Sequence, residues 1–378
     1  MSISQSLLAF IYINEPNFGA IITLLYKFTF NLTKLGLCMN FFESVIKEQA
    51  SFLYEDDNKN IQNEKFNIAY GADKNFLFGT GVSIASVLLN NKDMSFHFHI
   101  FTDFLSHEDS ELFNEISKLY NTCVTLYTLN MDTLKTLPTN HVWSHAIYFR
   151  LIIADYFYKK CDKVLYLDSD VVCNGSIQSL ESLDLSSIPV AAVMDISESH
   201  SVEMANLFKV EGLKKGYFNS GVMLINPDEW NYRQLTEKTM SVFTDEKLQS
   251  VIKYYDQDAI NIAVNGGWLK LDNIYNHRIN LNDRYKNREN SGISNAVFVH
   301  FIGLTKPWHN WSKYYHEVSC FLSAKEKSPW KDIKLMAPQN ITHHKYASKH
   351  LRYKEKYLSS FYHYILYTIL KIKRKIKI

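Results

Sequence analysis

Segments of strand character and segments of helix character alternate along the chain from Phe66 onward. "FNIAYGA", "FHFHIFT" (residues 96–102) and "CVTLYTL" are short, rich in β-branched and aromatic residues, and typical of strands. Helical stretches lie between them, and one of these, "SHEDSELFNEISKLY", opens with Ser106 as a predicted N-cap. Crossover helices connect parallel strands, so this pattern predicts an α/β fold with a mainly parallel sheet.

Polar side chains follow several of the predicted strands at the point where each strand ends. Asp73 and Asn75 follow the first strand, Asp168 and Asp170 follow the fourth, and Asp195 ends "VAAVMD". In sheets of this kind, ligands bind at the edge formed by the carboxyl ends of the strands. The convergence of these carboxylates predicts that the functional site lies at that edge.

The stretch "KVLYLDSDVV" (residues 163–172) places two aspartates, one residue apart, directly after an apolar strand. Like charges beside a buried strand repel each other and lose solvation unless a cation or a proton lies between them. A hard divalent cation such as Mg²⁺ or Mn²⁺ would satisfy both carboxylates. Two alternatives stay open: a solvated surface turn, and the DxDxV motif of haloacid-dehalogenase-type phosphatases. Those phosphatases carry the motif on their first strand, whereas three predicted strands precede it here.

The amino-acid composition says more about the cellular compartment of the protein than about any reaction it catalyses. Five cysteines are scattered without any CxxC pair, which favours a reducing compartment over a disulfide framework or a zinc site. The formal net charge is only +2, but basic residues are concentrated after His343. There the aromatic and aliphatic stretch "YLSSFYHYILYTIL" lies between two basic clusters, a pattern typical of a helix on an anionic membrane surface. A solvated helix and a nucleic-acid contact are the alternatives.

The sequence predicts four regions along the 378 residues. Residues 1–38 are an extension expected to be untranslated or disordered, because polar, globular-looking sequence begins at Met39. Residues 39–63 are expected to be a helical lead-in and residues 64–310 the α/β domain. Residues 311–378 are expected to be a helical, basic C-terminal region associated with a membrane surface.

Six motifs occur along the chain in the order "NIAYGADKNF", "AIYFRLIIADYF", "KVLYLDSDVVCNGSI", "YFNSGVMLIN", "YYDQDAIN" and "VHFIGLTKPWH". Together they resemble glycosyltransferase family 8, and more closely the bacterial lipopolysaccharide core α-glucosyl- and α-galactosyltransferases, over residues 64–335. The resemblance implies a GT-A catalytic domain with a Rossmann-like, mainly parallel mixed sheet flanked by helices. It also implies transfer of glucose or galactose from UDP-glucose or UDP-galactose with retention of anomeric configuration, assisted by Mn²⁺ or Mg²⁺.

The same resemblance assigns individual side chains to the donor. Asp168, Asp170 and His300 would ligate the metal, with the variable Ser169 between the two aspartates. The residues expected to contact the UDP part of the donor are Gly71, Asp73, Asn75, Arg150, Gly303 and Lys306. Those expected to line the sugar pocket are Asp195, Asn219, Ser220, Asp256 and Gln257. Glycine permits close backbone approach, and a lysine supplies a point charge for a diphosphate.

Several of these residues also have an ordinary structural explanation that the sequence leaves open. Asn75 could cap a helix, Arg150 could pair with a buried carboxylate, and His300 could be a core histidine with satisfied hydrogen bonds. Asp256 or Asp258 could cap the helix that follows them.

The catalytic candidates are Gln257, Asp256 and Asp195. Gln257 stands where the resemblance implies a nucleophile, but a neutral amide is a poor nucleophile beside the carboxylate of Asp256. We therefore expect front-face transfer, in which departing phosphate guides the acceptor hydroxyl while Gln257 and Asp256 stabilise positive charge on the sugar. The partners implied are a lipid A–core oligosaccharide acceptor and the cytoplasmic face of a Gram-negative inner membrane, without nucleic acid. A catalytically silent sugar- or membrane-binding protein is the remaining alternative.

Overall fold

An eight-stranded mixed sheet lies at the centre of the fold. The structure is a computed structural model that describes residues 45–53, 65–134, 145–195, 197–285 and 292–376, so the extension over residues 1–38 lies outside the described residues. The strands are β1 (Ile46–Leu53), β2 (Phe66–Ala72), β3 (Phe96–Thr102), β4 (Cys123–Leu129), β5 (Val164–Leu167), β6 (Val171–Cys173), β7 (Val190–Met194), β8 (Phe218–Ile225), β9 (Leu269–Leu271), β10 (His277–Arg278) and β11 (Phe298–His300).

The strand order of the large sheet is β1-β4-β3-β2-β5-β8-β7-β9. β4, β3, β2 and β5 run parallel to one another, as the alternation of strands and helices predicts. β8 is antiparallel to both of its neighbours, β5 and β7, so the sheet is mixed beyond β5. These strands confirm the predicted α/β class. Because β2 and β5 are adjacent and parallel, the polar residues that follow them emerge at the same edge.

Residues 46–53 form a strand where the sequence predicted a helical lead-in over residues 39–63. β1 pairs antiparallel with β4 and covers a sheet edge that would otherwise expose unpaired backbone groups. Phe52 packs against the core while the neighbouring Leu53 is exposed, as the alternation of a strand requires. The helix prediction is wrong for these residues because a long-range pairing decides their conformation.

Helices cover the sheet and continue beyond it. They are α1 (Leu77–Asn90), α2 (His107–Tyr120), α3 (Met131–Leu134), α4 (Phe149–Tyr156), α5 (Gln178–Glu181), α6 (Glu198–Phe208), α7 (Pro227–Tyr232), α8 (Leu235–Val242), α9 (Glu246–Gln249), α10 (Tyr255–Val264), α11 (Leu281–Arg284), α12 (Ser319–Glu326), α13 (Ile341–Tyr353) and α14 (Tyr357–Ile376). Ser106 caps α2 in a capping box with Asp109, which confirms the predicted N-cap.

A second, three-stranded sheet of order β10-β11-β6 brings distant parts of the sequence together. β6 follows directly after the two aspartates of the D-x-D motif, and β11 ends at His300. The two strands are antiparallel, with His300 paired to Val171, and the Phe301 N–H donates to the Asp170 carbonyl at 3.0 Å. This pairing places His300 next to the D-x-D turn.

Close contacts between tryptophans and α1 fix the segment that follows β11. A Cβ at Gly79 would lie 2.4 Å from the ring of Trp308, and a Cβ at Gly81 would lie 2.3 Å from the ring of Trp330. Only glycine lets both rings approach the helix so closely, because any side chain there would overlap them. Trp308 therefore holds its segment against α1, beside the edge of the sheet.

The region after residue 310 is mainly helical among the residues that the structure describes. α13 and α14 form a helical pair, in which the Ser360 hydroxyl donates to the Ser348 carbonyl at 2.8 Å. Across the described ranges, no helix combines the length and the apolar character needed to cross a bilayer.

Asp155 on α4 is a buried carboxylate that is not among the predicted site residues. Its Oδ1 accepts a hydrogen bond from the Thr236 hydroxyl at 2.7 Å. Burial raises the pKa of Asp155 to about 8, although the hydrogen bond from Thr236 opposes the shift. Since an aspartate in the unfolded chain has a pKa of about 3.9, the folded protein holds a proton that the unfolded chain has lost in the interval between. Folding stability therefore falls as the pH rises through that interval, by up to about 1.4 kcal/mol per pH unit.

We expect Asp155→Asn to remove this loss, because the amide keeps an acceptor for Thr236 and carries no charge. The free energy of unfolding, measured in urea, should decrease from pH 5 to pH 8. This decrease should be larger for the wild type than for the variant. Equal pH dependence of the two proteins would contradict the assignment.

Candidate active site

Two aspartates and a histidine meet at the carboxyl end of the large sheet. Asp168 and Asp170 lie in the turn between β5 and β6, and His300 is the last residue of β11. One ligand atom from each of them lies within 4.8 Å of the others. Nε2 of His300 is 3.2 Å from Oδ1 of Asp170 and 3.9 Å from Oδ2 of Asp168. The structure thus brings together the three side chains that the sequence analysis assigned to a metal.

Asn276 orients the imidazole of His300. Its Oδ1 lies 3.0 Å from Nδ1 of the ring. Because an amide oxygen can only accept, Nδ1 carries a proton, and Nε2 is the ring nitrogen that faces Asp170. A ring nitrogen and a carboxylate oxygen that face each other at this distance can both ligate one cation. Asn276 was not predicted from the sequence, since nothing in "NIYNHR" relates this residue to a histidine two dozen positions later.

Tyr166 and Arg150 hold one oxygen of Asp168 and leave the other facing the site. The Tyr166 hydroxyl donates to Oδ1 at 2.7 Å, and Nη2 of Arg150 donates to it at 3.0 Å. Oδ2 faces Gly221, where a Cβ would lie 2.6 Å from this oxygen and 2.3 Å from Cε1 of His300. Gly221 therefore preserves a small volume lined by carboxylate oxygens and an imidazole nitrogen. This set of atoms fits a divalent cation such as Mn²⁺ or Mg²⁺.

Lys306 supplies a positive charge to the same place. Its Nζ contacts Oδ2 of Asp170 and donates to the carbonyl of Phe301 at 3.1 Å. Burial opposes ionisation of Asp170, but Lys306 and His300 outweigh it, so the pKa of Asp170 lies below its usual range. Asp170 is therefore ionised at neutral pH.

Arg150 connects the D-x-D turn to α10. One of its amino groups, Nη1, forms an ion pair with Asp256 at 2.9 Å and donates to the Ser220 hydroxyl at 2.6 Å, while Nη2 binds Asp168. Burial raises the pKa of Asp256 to about 6, although the positive charge of Arg150 opposes the shift. Arg150 thus pairs with one buried and one partly buried carboxylate, as an arginine on an apolar helix requires, and it does so inside the site.

Hydrogen bonds hold the carboxamide of Gln257 at both ends. Its Oε1 accepts from Nδ2 of Asn219 at 2.9 Å and from the backbone N–H of Ser220 at 3.2 Å. Its Nε2 donates to Oδ2 of Asp195 at 2.9 Å and lies 3.2 Å from the Tyr217 hydroxyl. The predicted sugar-pocket residues on β8, α10 and the end of β7 are therefore one hydrogen-bonded network.

Arg278 on β10 fixes the position of Asp195, and the sequence analysis missed it. Its Nε forms an ion pair with Oδ1 of Asp195 at 3.1 Å, and its amino groups donate to the carbonyls of Met194 and Asp195 at 3.1 and 2.8 Å. An arginine in a two-residue strand carries no signal in the sequence that would identify this partner.

Asp73 and Asn75 follow β2 at the edge of the sheet that carries the D-x-D turn. Oδ1 of Asp73 accepts the backbone N–H of Asn75 at 2.9 Å, and the Asn75 side chain is exposed. Asn75 is not a helix cap, because α1 begins at Leu77 without a side-chain cap.

Asp103, the residue after β3, was not predicted as part of the site. Burial and the charge of Asp73 raise the pKa of Asp103. Asp103 directly follows a predicted strand, and this position was the sequence signal that could have identified it.

The remaining predicted residues have clear structural surroundings. Gly71 lies against α4, where a Cβ would be 2.7 Å from Cβ of Phe149. The hydroxyl of Ser169 accepts from Thr80 at 2.9 Å. Gly303 has a φ of +86°, which favours glycine.

Tyr254, and neither Asp256 nor Asp258, is the N-cap of α10, and it makes no side-chain cap hydrogen bond, but Asp258 reaches back to the backbone that precedes the helix. Its Oδ2 accepts the backbone N–H groups of Lys253 and Tyr254, at 2.7 and 2.8 Å, directly before α10. Asp256 is thus left to pair with Arg150.

Known proteins resemble this chain over most of its length. The chain matches glycosyl transferase family 8 over residues 67–312 and the glycosyl transferase family 8 C-terminal domain over residues 315–371. It is 39% identical over 337 residues to the lipopolysaccharide glucosyltransferase WaaO of Escherichia coli (strain K12), covering 88% of this chain and 99% of the relative. It is 40% identical over 343 residues to the lipopolysaccharide 1,3-galactosyltransferase of Salmonella typhimurium, covering 89% of this chain and 98% of the relative.

A solved structure with a similar fold is that of the galactosyltransferase LgtC in complex with donor and acceptor sugar analogues. Its TM-score is 0.58 at 24% identity, covering 70% of this chain and 96% of that one, and this likeness confirms the GT-A fold. The family match spans more than half of the chain, and the relatives share well over a third of their residues with it across nearly their full length. The chain therefore belongs to glycosyltransferase family 8.

Proposed function

We propose that this chain is a retaining hexosyltransferase that moves glucose or galactose from a UDP-sugar to the core oligosaccharide of lipopolysaccharide. Two relatives are named as a lipopolysaccharide glucosyltransferase and a lipopolysaccharide 1,3-galactosyltransferase. The observation that carries the proposal is that the Asp168–Asp170–His300 cluster, Lys306 and the Gln257 network lie at one edge of the sheet. Such a site offers positive charge for a leaving diphosphate beside hydrogen-bonding groups for a sugar.

Asp168, Asp170 and His300 would hold a divalent ion, Mn²⁺ or Mg²⁺. The mixed set of two carboxylates and one imidazole suits either ion, and Gly221 leaves the necessary space. When bound, the ion would stabilise negative charge on the departing diphosphate. Lys306 is placed to supply further positive charge to the same group.

The UDP part of the donor would lie along the edge between β2 and the D-x-D turn. Asp73 and Asn75 would bind uracil and ribose, with Gly71 allowing close backbone approach. Arg150 and Gly303 would contact the donor nearer the diphosphate. In this arrangement Ser169 orients the turn through Thr80 and has no direct chemical role.

The hydrogen bonds of Gln257 favour front-face transfer over attack by the amide. Both lone pairs of Oε1 accept hydrogen bonds, which lowers their nucleophilicity further. Asp256 is engaged by Arg150 and is a poor candidate for covalent attack. We assign to Gln257, Asp256 and Asp195 the stabilisation of positive charge on the sugar ring, while the departing phosphate accepts the proton of the acceptor hydroxyl.

The direct test is release of UDP by the purified full chain, offered UDP-glucose and UDP-galactose separately with a core-oligosaccharide acceptor. We expect release from one of the two donors with Mn²⁺ present, abolished by a chelator and restored by excess Mn²⁺. An Asp170→Asn variant should lose about 100-fold or more in kcat, since one charged ligand is replaced by a neutral one. Release that persists in the chelator, or no release from either donor, would contradict the proposal.

Asp256→Asn tests the front-face assignment. We expect kcat to fall by about 100- to 1,000-fold, the size of one lost electrostatic contact in the transition state, because the amide still accepts from Arg150. Loss of a covalent nucleophile would instead cost about 10⁴-fold or more. Asp155→Asn is a matched control, since it makes the same substitution at a buried aspartate that pairs with Thr236 and not with Arg150, and it should leave kcat unchanged. Near-normal turnover of Asp256→Asn would exclude a role for this carboxylate.

The C-terminal helix α14 would bind the cytoplasmic face of the inner membrane, where a lipid-linked acceptor is presented. Its exposed apolar side chains are Tyr357, Leu358, Phe361, Tyr362, Tyr364, Ile365, Ile369, Ile372 and Ile376. Its last turn carries Lys373, Arg374 and Lys375. An amphipathic helix that combines aromatic residues with basic ones is suited to an anionic lipid surface.

Replacing Lys373, Arg374 and Lys375 together by glutamine should weaken binding to vesicles that contain phosphatidylglycerol. Each basic residue near an anionic surface contributes about 1 kcal/mol, so the triple variant should bind about 100-fold more weakly in sedimentation at low salt. Glutamine at the exposed lysines 209, 214 and 215 is the matched control and should have little effect. Equal loss in both variants would contradict a docking role for α14.

A further inference from the structure

The segment of residues 301–309 carries Lys306 and forms neither a helix nor a regular strand. Its conformation is nevertheless specified, because Lys306 must reach Asp170 from the end of β11. Trp308 is held against α1 by the close approach at Gly79. The backbone N–H of Lys306 donates to Nδ1 of His309 at 3.0 Å. These contacts fix the segment on the carboxyl side of Lys306.

The residue on the amino side of Lys306 is held by α13. Thr305 has no exposed surface, and its hydroxyl donates to Oδ1 of Asn282 at 2.7 Å. Nε2 of His350, on α13, lies 3.1 Å from the Thr305 hydroxyl and 3.1 Å from Oδ1 of Asn282. The Tyr315 hydroxyl lies 2.7 Å from Nδ1 of the same ring. The Trp311 indole N–H also donates to the Thr305 hydroxyl at 3.4 Å, and His350 is fully buried, so these groups form a buried polar cluster next to Lys306.

The directions of these hydrogen bonds follow from the chemistry of the groups. Because the amide oxygen of Asn282 only accepts, Nε2 of His350 carries the proton and donates, while Nδ1 accepts from Tyr315. Burial lowers the pKa of His350 to about 3, and the nearby Lys354 and Lys349 add to this effect. The ring is therefore neutral at physiological pH and keeps one donor and one acceptor.

We propose that His350 is a positioning residue for the donor site, acting through Thr305 on Lys306. α13 therefore contributes to the donor site. The contact between Ser348 and Ser360 connects that site to α14. The inference rests on the proposed function of Lys306 toward the diphosphate of a UDP-sugar. It goes beyond that proposal by giving the C-terminal helices a role in donor binding.

The test is a double-mutant cycle read out as the affinity for UDP in the presence of Mn²⁺, measured by calorimetry. His350→Leu should weaken UDP binding about tenfold, within the range found for coupled neighbours, whereas the same change in a Lys306→Met background should add less than twofold. His350→Gln keeps one donor and one acceptor and should retain affinity within about twofold of the wild type. Thr305→Val, which removes only the linking hydroxyl, should behave as His350→Leu does and guards against a folding defect.

His99 on β3 provides the matched control. It is a buried histidine that hydrogen-bonds Tyr127 and Asn67, at 3.0 and 3.1 Å. His99→Leu should lower the melting temperature without changing UDP affinity. If His350→Leu weakened UDP binding equally in the wild-type and Lys306→Met backgrounds, the inference would be overturned. The proposed function would then be unaffected. A wild-type chain that binds no UDP would overturn both.

Discussion

The meeting of three carboxylates in one small volume, two of them buried, is the constraint on which the rest of the site depends. Asp168, Asp170 and Asp256 are countered by two cationic side chains, Arg150 and Lys306, which leaves negative charge in excess. Such a cluster persists only if the fold holds the charges in place against their repulsion. The pairing of β6 with β11 and the close packing at Gly221 hold these charges in place. The excess negative charge then faces a volume suited to a divalent cation.

The sequence was sufficient for the architecture of the sheet and for most of the site. Alternating strands and helices determine where the carboxyl ends of β2 and β5 lie, so residues such as Asp73 and Asp168 could be assigned to one edge before any contact was known. The D-x-D motif alone left a phosphatase open. What excludes that alternative is position, since β2, β3 and β4 precede the motif, together with membership of a glycosyltransferase family.

What the sequence missed was set by long-range partners. Asn276 and Arg278 carry no local signal, because their importance comes from touching His300 and Asp195. The strand at residues 46–53 was predicted as a helix for the same reason, since pairing with β4 decides its conformation. The helical C-terminal region was visible in the sequence, but its hydrogen bonds to the segment that carries Lys306 were not, because Thr305 and His350 are far apart in the chain.

The most direct test of the account is anomalous diffraction from crystals grown with Mn²⁺ and UDP. We predict a manganese peak ligated by Asp168, Asp170 and His300, at about 2.0–2.4 Å from their oxygen and nitrogen atoms. A UDP-bound crystal without that peak, or with manganese held by other side chains, would contradict it.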